Sequence, residues 1–243
     1  MKLLSVNTGR ARVVPYTDTA GGLTGIDKRP VAGPVAVAAP GPRGAGGSGL
    51  AGDDVCDLRH HGGDDQAVYV FAREDLDRWE SVLGRALSPG VFGENLTTSG
   101  IDVSGTLIGE RWRIGDDLVL EATAPRIPCR TFADWLGERG WVKRFTQDAA
   151  PGAYFRVLRP GSVRAGDPVQ VLHRPDHEVT VSFLFRARTT APELRPRVIA
   201  AGSALSAEEH ARALAWAEPA PAPGAASAPA QGAASAPGPA PVG

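Results

Sequence analysis

The sequence predicts a mainly β protein of the α+β class, folded as an antiparallel barrel or sandwich. Seven short segments are rich in Val, Tyr, Phe or Trp and are bounded by Gly, Pro or Asp, which is typical of strands in such folds. Helix-type periodicity is confined to a few stretches. Strands are expected at residues 3–7, 35–38, 67–71, 110–114, 118–123, 154–158 and 168–172.

Two helices are expected between these strands. The first lies behind the acidic pair 74–75 and the second directly after the cysteine at 129, and each repeats apolar residues on one face. The aromatic members of these faces are interpreted as core anchors. The faces consist of Leu76, Trp79 and Leu83 in the first helix and of Phe132, Trp135 and Leu136 in the second.

The C-terminal part of the chain changes character after residue 175. Pro192 suits the first turn of a helix, and Ser206 opens a capping box that ends at Glu209. With the segment 179–185, these features predict a small three-helix domain at 176–218 that follows a first domain at 1–175. Residues 219–243 contain only Pro, Ala, Gly, Ser, Gln and Val, a composition that predicts a disordered tail.

The overall charge and composition exclude several classes of partner. The chain has 26 Lys and Arg residues against 27 Asp and Glu residues, so we expect no general attraction to nucleic acid polymers or to membranes. The sequence shows no signal peptide and no long apolar run, and it has two cysteines, so we expect a cytoplasmic location. Residues 126–164 hold eight basic residues against three acids and would attract an anion, unless they and the acidic segment 53–77 are solvated faces that cancel.

The strongest chemical signal is a cysteine between two arginines. Pro125 and Pro128 restrict the backbone, which keeps the loop from collapsing over the sulfur. Arg126 and Arg130 favour the thiolate, the form that attacks electrophiles and binds soft metals. Cys129 is therefore a candidate reactive or metal-binding thiol, with a small buried hydrophobe as the alternative interpretation.

Two glycine-containing loops carry the other polar candidates. One holds His60 and His61 before two glycines, and the other holds Glu94 and Asn95 after a glycine. Each has a structural alternative, because His and Asn in turns often hydrogen-bond to their own backbone. A zinc site that includes Cys56 is disfavoured, since adjacent histidines point apart and no second spaced pair exists. Cys56 is interpreted as a buried packing residue.

Five groups of motifs, taken in order, closely resemble those of the MOSC domain family, in particular its YiiM-like bacterial branch. The resemblance covers residues 1–172, and the segment up to about 217 is similar to the three-helix domain that often follows in that branch. The motifs are TGIDKRPV at 24–31, GD at 52–53 with HHGG at 60–63, GVFGENL at 90–96, IGE at 108–110 with PRIPC at 125–129, and RVL at 156–158 with VRAGD at 163–167.

The resemblance implies a MOSC-type β-barrel that binds the molybdenum cofactor, in which a pterin (molybdopterin) dithiolene holds the metal. The family cysteine, here Cys129, supplies a thiolate ligand to molybdenum, a soft donor suited to a soft redox centre. His61 or Glu94 is a candidate proton donor, and Glu94 is expected to line the cavity. The residues implied to bind the cofactor are Lys28, His60, His61, Asn95, Arg126, Cys129 and Arg130.

The activity implied by the family is the two-electron reduction of N-hydroxylated compounds, such as hydroxylamino nucleobases, to amines. The sequence shows no flavin, haem or iron–sulfur motif, so electrons are expected from a separate reductase that carries a flavin or an iron–sulfur cluster. A reactive thiol also suits sulfur relay. The alternative is therefore a persulfide carrier, or a carrier of the molybdenum cofactor, that uses Cys129.

Two features depart from the family pattern. Arg130 stands where relatives usually carry an aromatic residue, which predicts a more cationic pocket mouth. The Gly- and Pro-rich loop at 40–49 is long for the family, and we expect it to add a surface segment without a chemical role.

Overall fold

An eight-stranded sheet forms the body of the protein in a computed structural model that describes residues 1–217. The predicted tail at 219–243 lies outside the described residues. The sheet has the order β12-β8-β9-β10-β6-β7-β1-β4, and two short strand pairs, β11 with β5 and β2 with β3, lie beside it. The strands are β1 (Lys2–Gly9), β2 (Arg12–Val13), β3 (Leu23–Thr24), β4 (Lys28–Pro30), β5 (Val35–Val37), β6 (Val68–Ala72), β7 (Leu96–Ser99), β8 (Arg111–Ile114), β9 (Leu118–Pro125), β10 (Ala153–Arg159), β11 (Gly161–Val163) and β12 (Val169–His173).

The sheet closes on itself into a barrel. Lys2, at the start of β1, bridges Pro168 just before β12, and the N–H of Val169 donates to the carbonyl of Met1 at 3.2 Å. All neighbouring strands are antiparallel except β6 and β7, which are parallel because the chain between them crosses over through a helix. The antiparallel prediction is therefore confirmed with one exception. Apolar side chains such as Trp112 and Phe155 fill the interior, so the barrel itself has no room for a ligand.

Three helices lie outside the barrel around an aromatic cluster. They are α1 (Arg73–Leu83), α2 (Arg130–Leu136) and α3 (Trp141–Asp148). The first two confirm the predicted helices, whereas α3 was not expected. Trp79, Phe132, Trp141 and Phe145 are buried against one another, with ring centroids 4.6–6.4 Å apart. This packing holds α2, and with it the cysteine that precedes α2, against the barrel wall.

The C-terminal segment forms α4 (Val181–Arg188), a 3-10 segment (Pro192–Ala204) and α5 (Ala207–Ala217). The second predicted helix is thus 3-10 in type, and it is kinked at Gly202, whose backbone is not helical. The Oγ of Ser206 accepts from the N–H of Glu209 at 3.2 Å, which is the first half of the predicted capping box. Buried apolar residues of this segment, including Leu184 and Ala213, join the core of the barrel. The domain boundary at 175/176 stays a prediction.

Candidate functional site

A cavity of about 880 Å³ lies against the outer face of β6, β9 and β10. Tyr69 and Tyr154 face it, whereas their neighbours Val68 and Phe155 point into the barrel core, as the alternation of a strand requires. The volume is typical of a site for a small molecule or cofactor. The rest of the lining comes mainly from segments 17–19, 23–26, 53–57, 59–62, 64–66, 123–131 and 206–209.

Cys129 lies in the cavity wall at the residue that precedes α2. Its side chain is half-buried and packs against the aromatic cluster, and Pro125 and Pro128 next to it are buried. Arg130 turns outward instead, where it pairs with Asp18 at 3.3 Å and with Asp134 at 3.4 Å. The structure therefore brings only one of the two flanking arginines to the buried side of the thiol.

Arg126 is a buried cation that pairs with no carboxylate of residues 1–217. The residue is 5% exposed, its Nη1 donates to the carbonyl of Phe92, and its guanidinium carbon lies 4.0 Å from the centroid of the Phe132 ring. Its Nε has no hydrogen-bond partner among residues 1–217. The other lining cations each pair with a carboxylate, in the pairs Lys28–Asp53, Arg43–Glu208, Arg59–Asp57, Arg130–Asp18 and Arg188–Glu209.

A buried positive charge of this kind favours an anionic ligand. Burial of an ion is costly unless an opposite charge or several hydrogen bonds compensate it, and Arg126 has one carbonyl and two aromatic faces. A phosphate or another oxyanion in the cavity would supply the missing negative charge through charge-assisted hydrogen bonds. Arg126 is thus a candidate anion-binding group three residues away in sequence from the half-buried thiol of Cys129.

Lys28 and Asn95 line the cavity but belong to one internal network. The Nζ of Lys28 pairs with the buried carboxylate of Asp53, which also accepts from the Nδ2 of Asn95 at 2.8 Å. The Oδ1 of Asn95 accepts from the backbone N–H of Tyr69 at 3.1 Å. Most of the polar groups of these two side chains are therefore occupied within the protein, which fixes the wall before any ligand binds.

The two adjacent histidines have different surroundings. His60 is exposed, and its Nδ1 lies 2.8 Å from Oδ2 of Asp57. His61 is half-buried in the cavity wall, and its ring has no hydrogen-bond partner within residues 1–217. Burial lowers the pKa of His61 to about 4, and the positive charge of Arg126 acts in the same direction. The imidazole is therefore neutral at pH 7 and offers one donor and one acceptor.

Glu94 lies behind the cavity wall, which corrects the expectation that it lines the cavity. The residue is fully buried, and its carboxylate accepts from the N–H of Gly90 at 2.6 Å, the N–H of Phe92 at 3.0 Å and the hydroxyl of Thr97 at 2.9 Å. These bonds fix the loop whose Phe92 carbonyl receives Arg126. The structure thus gives Glu94 a positioning role in place of direct contact with a ligand.

The loop at 40–49 contributes to the cavity, contrary to expectation. It packs on the histidine loop so closely that a Cβ at Gly62, which has a φ of +79°, would lie 2.8 Å from the carbonyl oxygen of Gly46. Arg43 from this loop lines the cavity and donates to Glu208 of α5 at 2.6 Å. Cys56 is also half-buried in the lining and not in the core.

The C-terminal helices supply a part of the wall that sequence reasoning missed. Arg188 and residues 206–209 face the cavity, and Glu208 and Glu209 are both paired with Arg212 of the same helix, at 2.9 and 2.7 Å. No local motif marks these residues as functional. Residues 206–209 reach the cavity because α5 packs beside the loop at 40–49, where Arg43 pairs with Glu208.

The donor set for a metal is restricted in the described part of the chain. Within residues 1–217, no three His, Cys, Asp or Glu side chains converge to hold a metal ion. The lining offers two separate thiols, Cys56 and Cys129, so a metal held here by one soft side chain would have to bring ligands of its own. Over the same residues, no helix combines the length and the apolar character needed to cross a lipid bilayer.

Comparison with known proteins extends these observations. Residues 57–170 match the MOSC domain. The chain is 35% identical over 184 residues to YflK of Bacillus subtilis, in an alignment that covers 76% of this chain and 79% of YflK. It is 29% identical over 165 residues to a Gibberella moniliformis protein named "Reductase", covering 63% of this chain and 28% of that longer protein.

A solved structure shows the same fold. The crystal structure of YiiM from Geobacillus stearothermophilus matches with a TM-score of 0.68 at 26% sequence identity, covering 88% of this chain and 98% of YiiM. The resemblance drawn from the five motif groups is confirmed. The domain match, the similarity to YflK and the shared fold together show that the chain belongs to the MOSC domain family.

Proposed function

We propose that this protein binds a molybdenum–pterin cofactor in the 880 Å³ cavity and reduces N-hydroxylated compounds to amines. The observation that carries the proposal is the pairing of a half-buried thiol, Cys129, with the uncompensated guanidinium of Arg126 in one wall. MOSC domains are associated with binding of the molybdenum cofactor in general. That cofactor combines a soft metal with a terminal phosphate, so it needs one soft ligand and one cation.

The chain's own residues fit these two requirements. Cys129 supplies the thiolate, and Arg126 supplies the charge for an anionic group of the cofactor. Lys28 and Asn95, held by Asp53, form a preorganised polar wall around the remainder of the ligand. Arg130 is engaged with Asp18 and Asp134 at the surface, so we assign it no direct contact with the cofactor. When bound, the molybdenum centre supplies the two-electron chemistry that removes oxygen from an N–O bond.

The residues around the site orient the substrate and exclude water. His61 is neutral at pH 7, so it acts as a hydrogen-bonding group for the substrate and not as an imidazolium acid. The exposed His60 is bound to Asp57 at the mouth. The loop at 40–49 and α5 form part of the cavity wall, and the proposed substrates in this cavity are hydroxylamino nucleobases.

Electrons come from a separate protein in this proposal. A transient partner with a flavin or an iron–sulfur cluster is therefore part of the proposed system. The Gibberella moniliformis relative is named "Reductase" and is much longer than this chain, which supports a redox role for the shared region.

Reduction of 6-hydroxylaminopurine tests the proposal. Protein from a molybdenum-replete host, supplied with a chemical reductant, is expected to form adenine in proportion to its molybdenum content. Cys129→Ser is expected to abolish this activity and to leave the fold unchanged, because a hydroxyl is a poor soft-metal ligand of similar size. Cys56→Ser is the matched control, since Cys56 lines the same cavity, and it is expected to retain activity.

The alternative function gives a different pattern in the same protein. A persulfide carrier would accept labelled sulfur on Cys129 from a desulfurase and pass it on without molybdenum. Onward transfer by metal-free protein, together with no N–O reduction by metal-loaded protein across several hydroxylamines, would replace the proposed function with this one. Full activity of Cys129→Ser would remove Cys129 from the site.

A further inference from the structure

Tyr154 presents to the cavity a hydroxyl that no other group within residues 1–217 engages. The side chain is half-buried and lines the cavity, and its hydroxyl makes no hydrogen bond to any group within residues 1–217. That hydroxyl is also absent from the buried, unpartnered side-chain atoms of the same residues, so it is reachable from the cavity. Tyrosine hydroxyls in protein walls normally have a partner, which makes this one available to a ligand.

The strand geometry directs Tyr154 to this position. Tyr154 pairs with Ala124 on β9, but the next residue, Phe155, pairs with Ala122, so Thr123 is an extra residue in a β-bulge. The hydroxyl of Thr123 lies 2.5 Å from the carbonyl oxygen of Asp65 and 3.0 Å from that of Tyr154, so its one proton ties the bulge to both segments. Bulges of this kind are common beside functional sites, where they change the direction of a side chain.

The neighbouring Tyr69 is a natural comparison. Tyr69 and Tyr154 lie directly opposite on paired strands, and their ring centroids are 5.0 Å apart. The Tyr69 hydroxyl donates to the carbonyl of Pro151 at 2.7 Å, so its proton is committed within the protein. Two neighbouring tyrosines in one wall therefore differ: within residues 1–217, only the Tyr69 hydroxyl has an acceptor.

The charges around Tyr154 indicate what it would bind. Arg126 and Cys129 are the charged or ionisable groups that act on the phenol, and burial raises the pKa of Tyr154 above its ordinary value. The phenol therefore keeps its proton at neutral pH and is a donor. A hydroxyl donor and a guanidinium in one cavity wall suit a ligand oxygen that can accept hydrogen bonds from both, either as an anion or through a lone pair.

We propose that the Tyr154 hydroxyl donates a hydrogen bond to an oxygen of the ligand that binds beside Arg126. The ligand class is an oxyanion or an N-hydroxyl group, because both present an acceptor oxygen to a paired donor and cation. Binding of an oxyanion requires only Arg126 and Tyr154. Binding of an N-hydroxyl group rests on the proposed function, because it places the N–O group of the substrate next to these two residues.

Binding measurements on metal-free protein test the role of Tyr154. Inorganic phosphate and 6-hydroxylaminopurine serve as separate probes, titrated by calorimetry into wild type, Tyr154→Phe and Tyr69→Phe. Tyr154→Phe is expected to weaken at least one probe by about tenfold or more, the effect of losing a hydrogen bond to a charged or strongly polar acceptor. Tyr69→Phe is expected to leave both affinities nearly unchanged, because its proton serves Pro151.

The pattern of losses identifies the source of the oxygen. A loss confined to phosphate assigns the hydroxyl to the anionic end of the cofactor, and a loss confined to 6-hydroxylaminopurine assigns it to the substrate. Equal affinities of Tyr154→Phe and wild type for both probes, in a variant with an unchanged melting temperature, would overturn the inference. Because metal-free protein is used, this result is independent of whether molybdenum supports N–O reduction.

Discussion

Replacement of Arg126 by methionine is expected to change the stability of the protein and its affinity for anions in opposite directions. Arg126 is 5% exposed, and its guanidinium has no carboxylate partner within residues 1–217. Burial of this charge therefore lowers the stability of the ligand-free protein, whereas the same charge favours binding of an anion. Methionine is unbranched and apolar and can occupy the space between Phe132 and Tyr69. We expect Arg126→Met to stabilise the metal-free protein and to lose affinity for anions.

The magnitude follows from the contacts of the guanidinium. Burial of the ion costs on the order of 5 kcal/mol after relaxation. The hydrogen bond to the Phe92 carbonyl recovers about 2 kcal/mol, and the faces of Phe132 and Tyr69 together recover about 2 kcal/mol. The remainder, about 1 kcal/mol, predicts a melting temperature about 2–4 °C above that of wild type. Loss of the charge-assisted contact predicts an affinity for phosphate that is about 10- to 150-fold weaker.

Thermal unfolding with and without inorganic phosphate measures both effects on metal-free protein. Phosphate is expected to raise the melting temperature of wild type and to leave that of Arg126→Met unchanged. Arg130→Met is the control, because Arg130 is exposed and already paired with Asp18 and Asp134, and it should respond to phosphate as wild type does. A variant Arg126→Met that melts several degrees lower and still responds to phosphate would refute this reasoning, since Arg126 would then be a purely structural residue.

Two further predictions concern the wall of the cavity. The pKa of His61 is lowered from 6.5 to about 4, so between these pH values the unfolded chain binds more protons than the folded protein does. The wild type therefore loses stability as the pH falls from 6.5 to 4. His61→Gln removes this group and is expected to reduce that loss of stability. Identical unfolding free energies of variant and wild type across pH 4–6.5 would contradict this. Arg43→Glu is expected to speed hydrogen exchange at 207–210 by up to about fivefold, because it replaces the ion pair with Glu208 by a repulsion and leaves the Glu208–Arg212 pair in place. Exchange as slow in Arg43→Glu as in wild type would show that the Arg43–Glu208 pair does not hold α5.

Strands with an alternating or apolar pattern could be predicted from the sequence, and buried polar strands could not. β7, Leu96–Ser99, lies in the middle of the sheet but reads Leu-Thr-Thr-Ser. Its buried threonines are tolerated in part because Thr97 donates to Glu94 at 2.9 Å, a partner that only the fold supplies. The helix α3 was missed for a related reason: it begins after Gly140 without a side-chain cap, and its identity depends on Trp141 and Phe145 packing in the aromatic cluster.

The candidate site was predictable where loops carry motifs and not where tertiary packing decides. Cys129, Arg126 and His61, which the motifs single out, lie along one cavity, and their roles stay predictions. The motifs did not show that Glu94 turns away from the cavity, because the direction of a carboxylate depends on which backbone N–H groups surround it. They also gave no sign of Tyr154, since a tyrosine in a strand has an ordinary explanation until its hydroxyl is found without a partner.

We propose that Cys129 holds molybdenum in this cavity, and X-ray absorption at the molybdenum K-edge tests this binding most directly. Protein from a molybdenum-replete host is measured as wild type, Cys129→Ser and Cys56→Ser. We expect wild type and Cys56→Ser to show one sulfur ligand beyond the pair from the pterin dithiolene, and Cys129→Ser to lack that sulfur or to lose the metal. The same sulfur count and the same molybdenum content in all three proteins would mean that Cys129 does not bind molybdenum.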